Sequence, residues 1–349
     1  MFLSDILPAG DFTEIEFAIK ATNNATNGGS YCFRLYDSTN TVALGPSTAY
    51  APVTLADGIF QYWKPITIPV ANLGASCSAD LADFPILISI TDPDLASNTR
   101  DDGYDIVFRG LDDTVCGGAD TAPCGLYHEV EKWDNSTGEL IAWVKIPTLS
   151  SSNDTTIYMY YGNSAVNAAT DNPTGVWDSG FVGVWHLNET PADGVAGHAD
   201  STGNGRTGTP RDFQDGDGGT TDAQGIAAGA DKYETGSPAD DRVEIPDDDS
   251  LTPTGDLSVE AWVKLDTISS THIVYKRHSV SPWFSYQMVV NAVNQALFQW
   301  SNSSGTYFNA TMSSGSLSAG TWYHLVGVKD GTTVRLYVNG SDSNTTTAT

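Results

Sequence analysis

The clearest strand patterns in this chain are Gly138-Glu-Leu-Ile-Ala-Trp-Val-Lys-Ile-Pro147 and Thr155-Thr-Ile-Tyr-Met-Tyr-Tyr-Gly162. Both segments are rich in β-branched and aromatic residues and are bounded by glycine, proline or polar runs, as is typical of strands. After the turn-forming cluster Asp171-Asn-Pro-Thr-Gly175, a further strand region begins with Val176-Trp-Asp-Ser-Gly-Phe-Val-Gly-Val-Trp-His-Leu-Asn188. We therefore predict that one β-module ends near residue 175 and that another begins at residue 176.

Strand patterns extend in both directions from this junction. Pro85-Ile-Leu-Ile-Ser-Ile90 is a nearly continuous apolar run, and Leu257-Ser-Val-Glu-Ala-Trp-Val-Lys-Leu265 alternates apolar and polar residues. Asp330-Gly331 and Asn339-Gly340 are two-residue pairs that favour tight β-hairpin turns. We found no convincing helical period between the strands of the middle region, so the predicted fold class is all-β, with β-sandwich modules in tandem.

A family resemblance rests on several short motifs that occur in the right order. They are Tyr62-Trp-Lys-Pro-Ile-Thr-Ile68, Asp102-Gly-Tyr-Asp-Ile-Val-Phe108, Trp143-Val-Lys-Ile-Pro147 and Thr156-Ile-Tyr-Met-Tyr-Tyr-Gly-Asn163. Together they resemble domain-of-unknown-function family 2341, an extracellular β-domain for which no activity is established. In large microbial surface proteins, members of that family are often followed by a laminin-G-like, concanavalin A-like module.

The carboxyl-terminal part of the chain resembles that second module. The motifs are Ser258-Val-Glu-Ala-Trp-Val-Lys264, Trp322-Tyr-His-Leu-Val326 and Val334-Arg-Leu-Tyr-Val-Asn-Gly340. The resemblance implies one or two later strands with an Asp-Glu pair, so we expect the sandwich to lack a strand or to borrow one. Residues 341–349 are polar and lack apolar alternation, and we expect them to be poorly ordered or to leave an open strand edge.

We predict three domains. Residues 1–57 form a partial immunoglobulin-like β segment, because Tyr31-Cys-Phe-Arg-Leu35 resembles the final strands of such repeats. Residues 58–175 form the uncharacterised β-sandwich domain. Residues 176–349 form a concanavalin-like jelly roll that is truncated at its carboxyl-terminal end.

The amino-acid composition disfavours two classes of partner and a membrane span. The chain has 43 acidic and 16 basic residues and a net charge of −27, which disfavours nucleic acids and anionic membranes as partners. No apolar run approaches the roughly 18 residues of a transmembrane helix, so we predict no membrane span.

Cysteines and glycosylation motifs indicate an extracellular or cell-surface location. Cys116 and Cys124 flank a short loop that a disulfide could close, and Cys32 and Cys77 are candidates for a second bridge. Eight asparagines occur in Asn-X-Ser/Thr motifs and are candidate glycosylation sites. They are Asn24, Asn135, Asn153, Asn188, Asn302, Asn309, Asn339 and Asn344.

No catalytic constellation is present in the sequence. Glu129 and Glu131 share a strand face, but the Glu-X-Asp-X-Glu arrangement that suits a retaining glycosidase is missing. The sequence also lacks a Gly-X-Ser-X-Gly elbow and a His-Glu-X-X-His zinc motif. We therefore predict no catalytic residues and a protein that is not an enzyme.

Calcium and glycans are the predicted ligands. Asp200-Ser-Thr-Gly-Asn-Gly205 resembles a loop that supplies metal ligands in many concanavalin-like modules, which makes Asp200 and Asn204 candidate Ca²⁺ ligands. Acidic, glycine-rich turns add further candidates at Asp215, Asp217 and Asp222. Exposed aromatic rings can stack on sugar rings, and the candidates for this role are Trp283, Trp300 and Tyr307.

Three functions remain open from the sequence. The first is a non-enzymatic surface protein for adhesion or glycan binding, with glycans or other surface proteins as partners. The second is a subunit of a filament or surface layer that self-associates by β-strand addition, in which Phe12 to Ile19 completes the sandwich of a neighbouring copy. The third is a carbohydrate-binding accessory region of a secreted hydrolase.

Overall fold

The computed structural model confirms an all-β chain that divides into two compact units. One unit combines residues 1–29 with 179–349 and is called the split unit below; residues 30–178 form the central unit. The structure describes residues 12–20, 43–44, 53–55, 58–73, 78–110, 124–191, 194, 197–213, 221–222, 225–233, 235–236, 239–252, 255–267, 270–278, 284–302, 304–312 and 316–347.

Strands make up nearly all of the regular elements in the described part of the chain. The strands, in chain order, are β1 (Phe12–Lys20), β2 (Ala43–Leu44), β3 (Val53–Leu55), β4 (Gly58–Phe60), β5 (Tyr62–Ile68), β6 (Leu81–Thr91), β7 (Val107–Arg109), β8 (Gly125–Leu126), β9 (His128–Asp134), β10 (Glu139–Leu149), β11 (Thr155–Tyr161), β12 (Phe181–Trp185), β13 (Thr209–Arg211), β14 (Thr221–Asp222), β15 (Ala230–Asp231), β16 (Thr235–Gly236), β17 (Ala239–Asp240), β18 (Arg242–Glu244), β19 (Leu257–Leu265), β20 (Thr271–Arg277), β21 (Phe284–Val290), β22 (Ala296–Ser301), β23 (Tyr307–Thr311), β24 (Trp322–Asp330), β25 (Thr333–Val338) and β26 (Ser341–Thr347). The helices are α1 (Pro93–Asn98) and α2 (Pro173–Val176), and 3-10 turns span Val70–Asn72 and Asp249–Leu251.

Two sheets share the hydrophobic core of the central unit. One has the strand order β6-β10-β9, and the other has the order β2-β5-β11-β7-β8. The apolar run of β6 contributes Ile86, Ile88 and Ile90 to the core, and β11 contributes Ile157 and Met159. This is the sandwich that the alternating apolar residues predict.

The split unit is built from a six-stranded and a four-stranded sheet. Their strand orders are β12-β1-β19-β24-β25-β26 and β20-β21-β22-β23. Every second residue of β19 is buried, from Leu257 to Leu265, and these side chains join the core with Met288 and Phe298 of the four-stranded sheet. The residues between them, including Glu260 and Trp262, are half-buried on the other face.

The amino-terminal strand β1 lies inside the six-stranded sheet. Its backbone pairs antiparallel with both β12 and β19, so that Phe17 is opposite Trp185 on one side and Ala261 on the other. Most of residues 1–57 lie outside the described part of the chain, and the predicted immunoglobulin-like segment stays a prediction. What the structure adds is that one strand from this segment is an internal strand of the split unit.

Two-residue turns connect β24 to β25 and β25 to β26, the second at the predicted Asn339-Gly340 pair. The first is Gly331-Thr332, one residue later than the predicted Asp330-Gly331, because Asp330 still pairs with Thr333. Asn339 and Gly340 have φ values of 51° and 75°, the left-handed conformation that a type I′ turn requires, and they connect β25 to β26. The polar segment that we expected to be poorly ordered therefore forms strand β26, although it lacks apolar alternation. Asn344 also ties it to β23, because its side-chain amide donates to the carbonyl of Thr311 at 2.6 Å.

Close packing between the two sheets predicts the effect of one substitution. An added Cβ at Gly327 would come within 2.2 Å of the Phe298 ring, and that ring is fully buried. We expect Gly327→Ala to destabilise the split unit by about 1–3 kcal/mol, because overpacking a core displaces side chains and backbone. Urea denaturation measures this loss. Gly203→Ala is the matched control, since an added Cβ there meets nothing within 4 Å; equal stability of the two variants would contradict the packing argument.

Candidate functional site

A row of polar side chains crosses the outer face of the four-stranded sheet. Tyr275, Gln287, Gln299 and Asn309 are opposite one another on successive strands, so their side chains point to the same side. Gln287 donates a hydrogen bond to Gln299, and Gln299 donates to the side-chain oxygen of Asn309 at 2.7 Å. We call these four residues the amide row. Asn309, at its outer end, is exposed.

Aromatic rings flank the amide row on the same face. Tyr307 is two residues before Asn309 on β23 and is 42% exposed. Its ring stacks on that of Phe284, with 4.9 Å between the centroids and 23° between the planes. The Phe284 ring in turn lies 6.1 Å from that of Tyr275. The stacked pair holds the Tyr307 ring in one orientation beside the exposed end of the row.

Two of the three candidate aromatic residues, Trp300 and Tyr307, lie on opposite faces of the four-stranded sheet. Tyr307 lies on the outer face, beside the amide row. Trp300 lies on the core side of β22, where its ring stacks on Phe308 at 5.3 Å and Lys329 Nζ is 5.0 Å from its centroid. Trp283 lies outside the described residues. Tyr307 is therefore the candidate whose ring is available for stacking on a ligand.

In the loop proposed as a calcium site, the side chains of Asp200 and Asn204 form hydrogen bonds to other groups of the protein. Asp200 accepts hydrogen bonds from the backbone N–H groups of Val184, Thr202 and Arg206, and a further one from the Thr202 hydroxyl at 2.7 Å. The side-chain amide of Asn204 donates to the carbonyls of β12, at 3.1 Å to Phe181 and 3.0 Å to Val182. As placed, Asp200 and Asn204 therefore fit a structural role better than an open cation site.

The other predicted metal ligands lie in a stretch of which the structure describes little. Asp215 and Asp217 lie outside the described residues, and for Asp222 only the backbone is described, in β14. Within the part of the chain that the structure describes, no three His, Cys, Asp or Glu side chains are grouped so that they could hold a metal ion. Calcium binding stays a prediction.

A buried histidine between two carboxylates was not predicted from the sequence. His198 Nδ1 lies 3.0 Å from Glu189 Oε2, and His198 Nε2 lies 2.9 Å from Asp231 Oδ2. Both His198 and Asp231 are fully buried. Burial by itself lowers the pKa of His198, but hydrogen bonds and charges from Asp231 and Glu189 outweigh it and raise the pKa to about 9. The pKa of Asp231 is raised to about 6, mainly because it is buried.

The imidazole and Asp231 are inaccessible and Glu189 is half-buried, which fits a structural role for the triad. Glu189 follows β12, His198 pairs by backbone with Gly208, and Asp231 ends β15, so the ion pairs connect three separate segments of the split unit. A substrate could not reach the imidazole without opening the core. The sequence contained no signal for the triad, because Asp231 is far from the other two members in the chain and the three share no motif.

Glu129 and Glu131, the carboxylate pair on one strand face, are each hydrogen-bonded to a tryptophan. Trp177 Nε1 donates to Glu129 at 2.6 Å, and Trp143 Nε1 donates to Glu131 at 2.7 Å. The two indole rings lie 5.2 Å apart. These contacts give both glutamates a packing role in the central unit.

The cysteine and glycosylation predictions are tested only in part by geometry. Cys124 is disulfide-bonded, but Cys32, Cys77 and Cys116 lie outside the described residues, so the pairing with Cys116 stays a prediction. Among the candidate glycosylation sites, Asn135, Asn153, Asn309 and Asn339 are exposed, while Asn188, Asn302 and Asn344 are half-buried. Asn24 lies outside the described residues.

Comparison with known families identifies two regions. Residues 103–183 match the family described as a domain of unknown function (DUF2341). Residues 235–349 match the concanavalin A-like lectin/glucanases superfamily. The predicted order of the two modules is confirmed. Comparisons with curated proteins and with solved structures found no match.

The second match supports a carbohydrate-binding or surface-type module in the split unit. It covers β19 to β26 and therefore includes the whole amide row and Tyr307. None of the helices in the described part of the chain has the length and apolar character needed to cross a bilayer.

The triad predicts how stability depends on pH. A histidine whose pKa rises from about 6.5 to about 9 on folding stabilises the fold fully below pH 6.5 and loses this effect as the pH rises to 9. The raised pKa of Asp231 acts in the same direction, between about pH 4 and 6. We expect urea denaturation to show a loss of stability between pH 6.5 and 9 that His198→Gln abolishes.

A second histidine provides the control for this measurement. His278 is half-buried and is hydrogen-bonded to the Ser285 hydroxyl at 2.6 Å rather than to a carboxylate. His278→Gln should keep the pH dependence of the wild type. The same pH profile in wild type and His198→Gln would show that the triad does not carry the effect.

Proposed function

We propose that the split unit binds glycans through the amide row and Tyr307, within a non-enzymatic extracellular or cell-surface protein that serves in adhesion or glycan binding. The observation that carries this proposal is the hydrogen-bonded amide row ending beside an exposed, stacked tyrosine ring. The match to a lectin/glucanase superfamily over the same strands supports it.

The chemistry of the face suits a sugar. The exposed Asn309 amide offers N–H donors and a carbonyl acceptor, which complement hydroxyl groups that both donate and accept. Gln287 is buried, and the hydrogen bonds from Gln287 to Gln299 and from Gln299 to Asn309 hold that amide in place. The Tyr307 ring provides a flat apolar surface for the C–H face of a pyranose, and its packing against Phe284 lowers the entropy that binding would cost. Polar groups and a ring are thus placed together on a rigid sheet rather than on loops.

The net charge favours neutral glycans over acidic ones. A chain with a net charge of −27 repels sulfated or uronate-rich polymers over the range of its electrostatic field. The amide row itself carries no charge. We therefore expect neutral hexose oligosaccharides to bind better than anionic glycans.

Binding is favoured over hydrolysis by the composition of the face. Retaining glycosidases place two carboxylates about 5–5.5 Å apart, and inverting enzymes place them farther apart. The amide row and its flanking rings supply amides and aromatic groups instead. A binding role also fits an accessory region of a secreted hydrolase, and no step of the proposal depends on calcium.

Removing the exposed ring should weaken binding. We expect Tyr307→Ala to raise the Kd for the best neutral oligosaccharide about threefold to tenfold, because ring stacking contributes on the order of 1 kcal/mol. A glycan array selects that ligand, and titration calorimetry measures the Kd. Tyr104→Ala is the matched control, since Tyr104 is 39% exposed but belongs to the central unit.

Two results would contradict this site. One is equal affinity of Tyr307→Ala and wild type for the selected ligand. The other is the absence of binding to any neutral glycan on the array. Release of shortened oligosaccharides during the titration would instead reject the non-enzymatic part of the proposal.

A second candidate function, a subunit that assembles by strand addition, is favoured by the position of β1. This strand pairs with β12 and β19 on both of its edges, and a strand from a second copy could make the same backbone hydrogen bonds. Exchange of β1 between copies would join them head to tail through the same backbone hydrogen bonds that β1 makes within one chain.

Light scattering tests this second function. If β1 is exchanged, the full chain should form oligomers, and Ala18→Pro should abolish them, because proline removes a backbone donor from an internal strand. Ala18→Val keeps that donor and should keep the oligomers. A full chain that stays monomeric at high concentration would reject assembly by strand exchange.

A further inference from the structure

A buried lysine of the central unit lies between two aspartates. Lys64 is on β5 and is only 1% exposed, although lysine is rarely buried to this extent. Its Nζ is in direct contact with Asp92 Oδ2 and lies 3.2 Å from Asp94 Oδ2. Because β5 belongs to one sheet and Asp92 directly follows β6 of the other, this contact connects the two sheets of the sandwich.

The surrounding groups hold both carboxylates in fixed positions. Asp92 caps α1, and its Oδ1 accepts a hydrogen bond from the backbone N–H of Asp94 at 2.9 Å. Asp94 accepts hydrogen bonds from the Tyr161 hydroxyl and from the side-chain amide of Asn98, the latter at 2.8 Å. A buried amine, a buried carboxyl group in contact with it and a partly exposed second carboxylate beside both are therefore held together.

We propose that Lys64 and Asp92 condense to an isopeptide bond within the chain. Transfer of a proton from the Lys64 ammonium to the Asp92 carboxylate produces a neutral amine and a carboxylic acid. Lys64 Nζ then attacks Cγ of Asp92, and Asp94 accepts a proton from the nitrogen and delivers it to the departing oxygen. The C–N bond forms, the C–O bond breaks, and one water molecule leaves without any oxidant, reductant or cofactor.

Both the contact between the two groups and their burial favour this reaction. The two reacting groups are already in contact, and intramolecular reactions with good orientation gain a large effective concentration. A buried ion pair also carries a desolvation cost that a neutral amide avoids. The product would be a covalent link between the two sheets that, unlike a disulfide, resists reduction. This modification is independent of glycan binding by the split unit.

Intact-mass measurement of the reduced, unglycosylated full chain tests the proposal. We expect a mass lower than that of the sequence by one water molecule. Tandem mass spectrometry of chymotryptic peptides should place the loss in a cross-linked pair that contains Lys64 and Asp92. A mass equal to that of the sequence would overturn the proposal, and so would a loss that maps elsewhere, for example to succinimide at Asp102-Gly103.

Two variants separate the bond from the ion pair. Lys64→Arg keeps the positive charge on β5 but cannot form this amide, so it should have the full sequence mass and melt at a lower temperature than wild type. Asp94→Asn keeps both reacting groups and removes the proton carrier. In this variant the loss of water after purification should be slow or absent; a rate equal to that of wild type would reject the role of Asp94.

Discussion

The burial of alternate side chains along β19 is the constraint on which the split unit depends. Residues Leu257 to Leu265 bury one face and leave the other half-exposed, so the strand must face a second sheet. That requirement places the four-stranded sheet opposite it, with Phe298 against Gly327. The amide row lies on the remaining face of the four-stranded sheet, since alternate residues of each strand point away from the core. On that outer face, its side chains go from buried at Gln287 to exposed at Asn309.

The sequence was sufficient to predict strands and turns but not all of their partners. Alternation located β19, and the Asn339-Gly340 pair located the last hairpin, because both signals are local. The position of β1 beside β19 depends on residues far apart in the chain, which no local pattern encodes. Trp300 and Tyr307 looked equivalent in the sequence, yet they lie on opposite faces of one sheet. The register of β22 and β23 decides this difference, and composition cannot show it.

Buried charged groups and surface charged groups are stabilised in different ways in this chain. The chain has few cations, but Lys64 in the central unit and His198 in the split unit are each buried against two carboxylates. As long as Lys64 and Asp92 have not condensed, the cation in each place offsets acidic groups that would repel each other in a low-dielectric interior. The carboxylates of these two clusters are thus neutralised locally. Most of the net negative charge therefore lies on the surface, where water and salt screen it. There it favours neutral ligands over acidic ones.

Two predictions for the split unit, N-glycosylation and glycan binding, concern Asn309, and they exclude each other at this residue. It begins an Asn-X-Thr motif, it is exposed, and its side-chain oxygen accepts the hydrogen bond from Gln299 that ends the amide row. N-glycosylation would attach to the side-chain nitrogen of the same residue, two positions from Tyr307. A sugar chain fixed there would cover the face that we propose for glycan binding. If this face is the binding site, Asn309 must therefore stay unmodified in the functional protein, even where other exposed motifs such as Asn135 and Asn153 carry glycans.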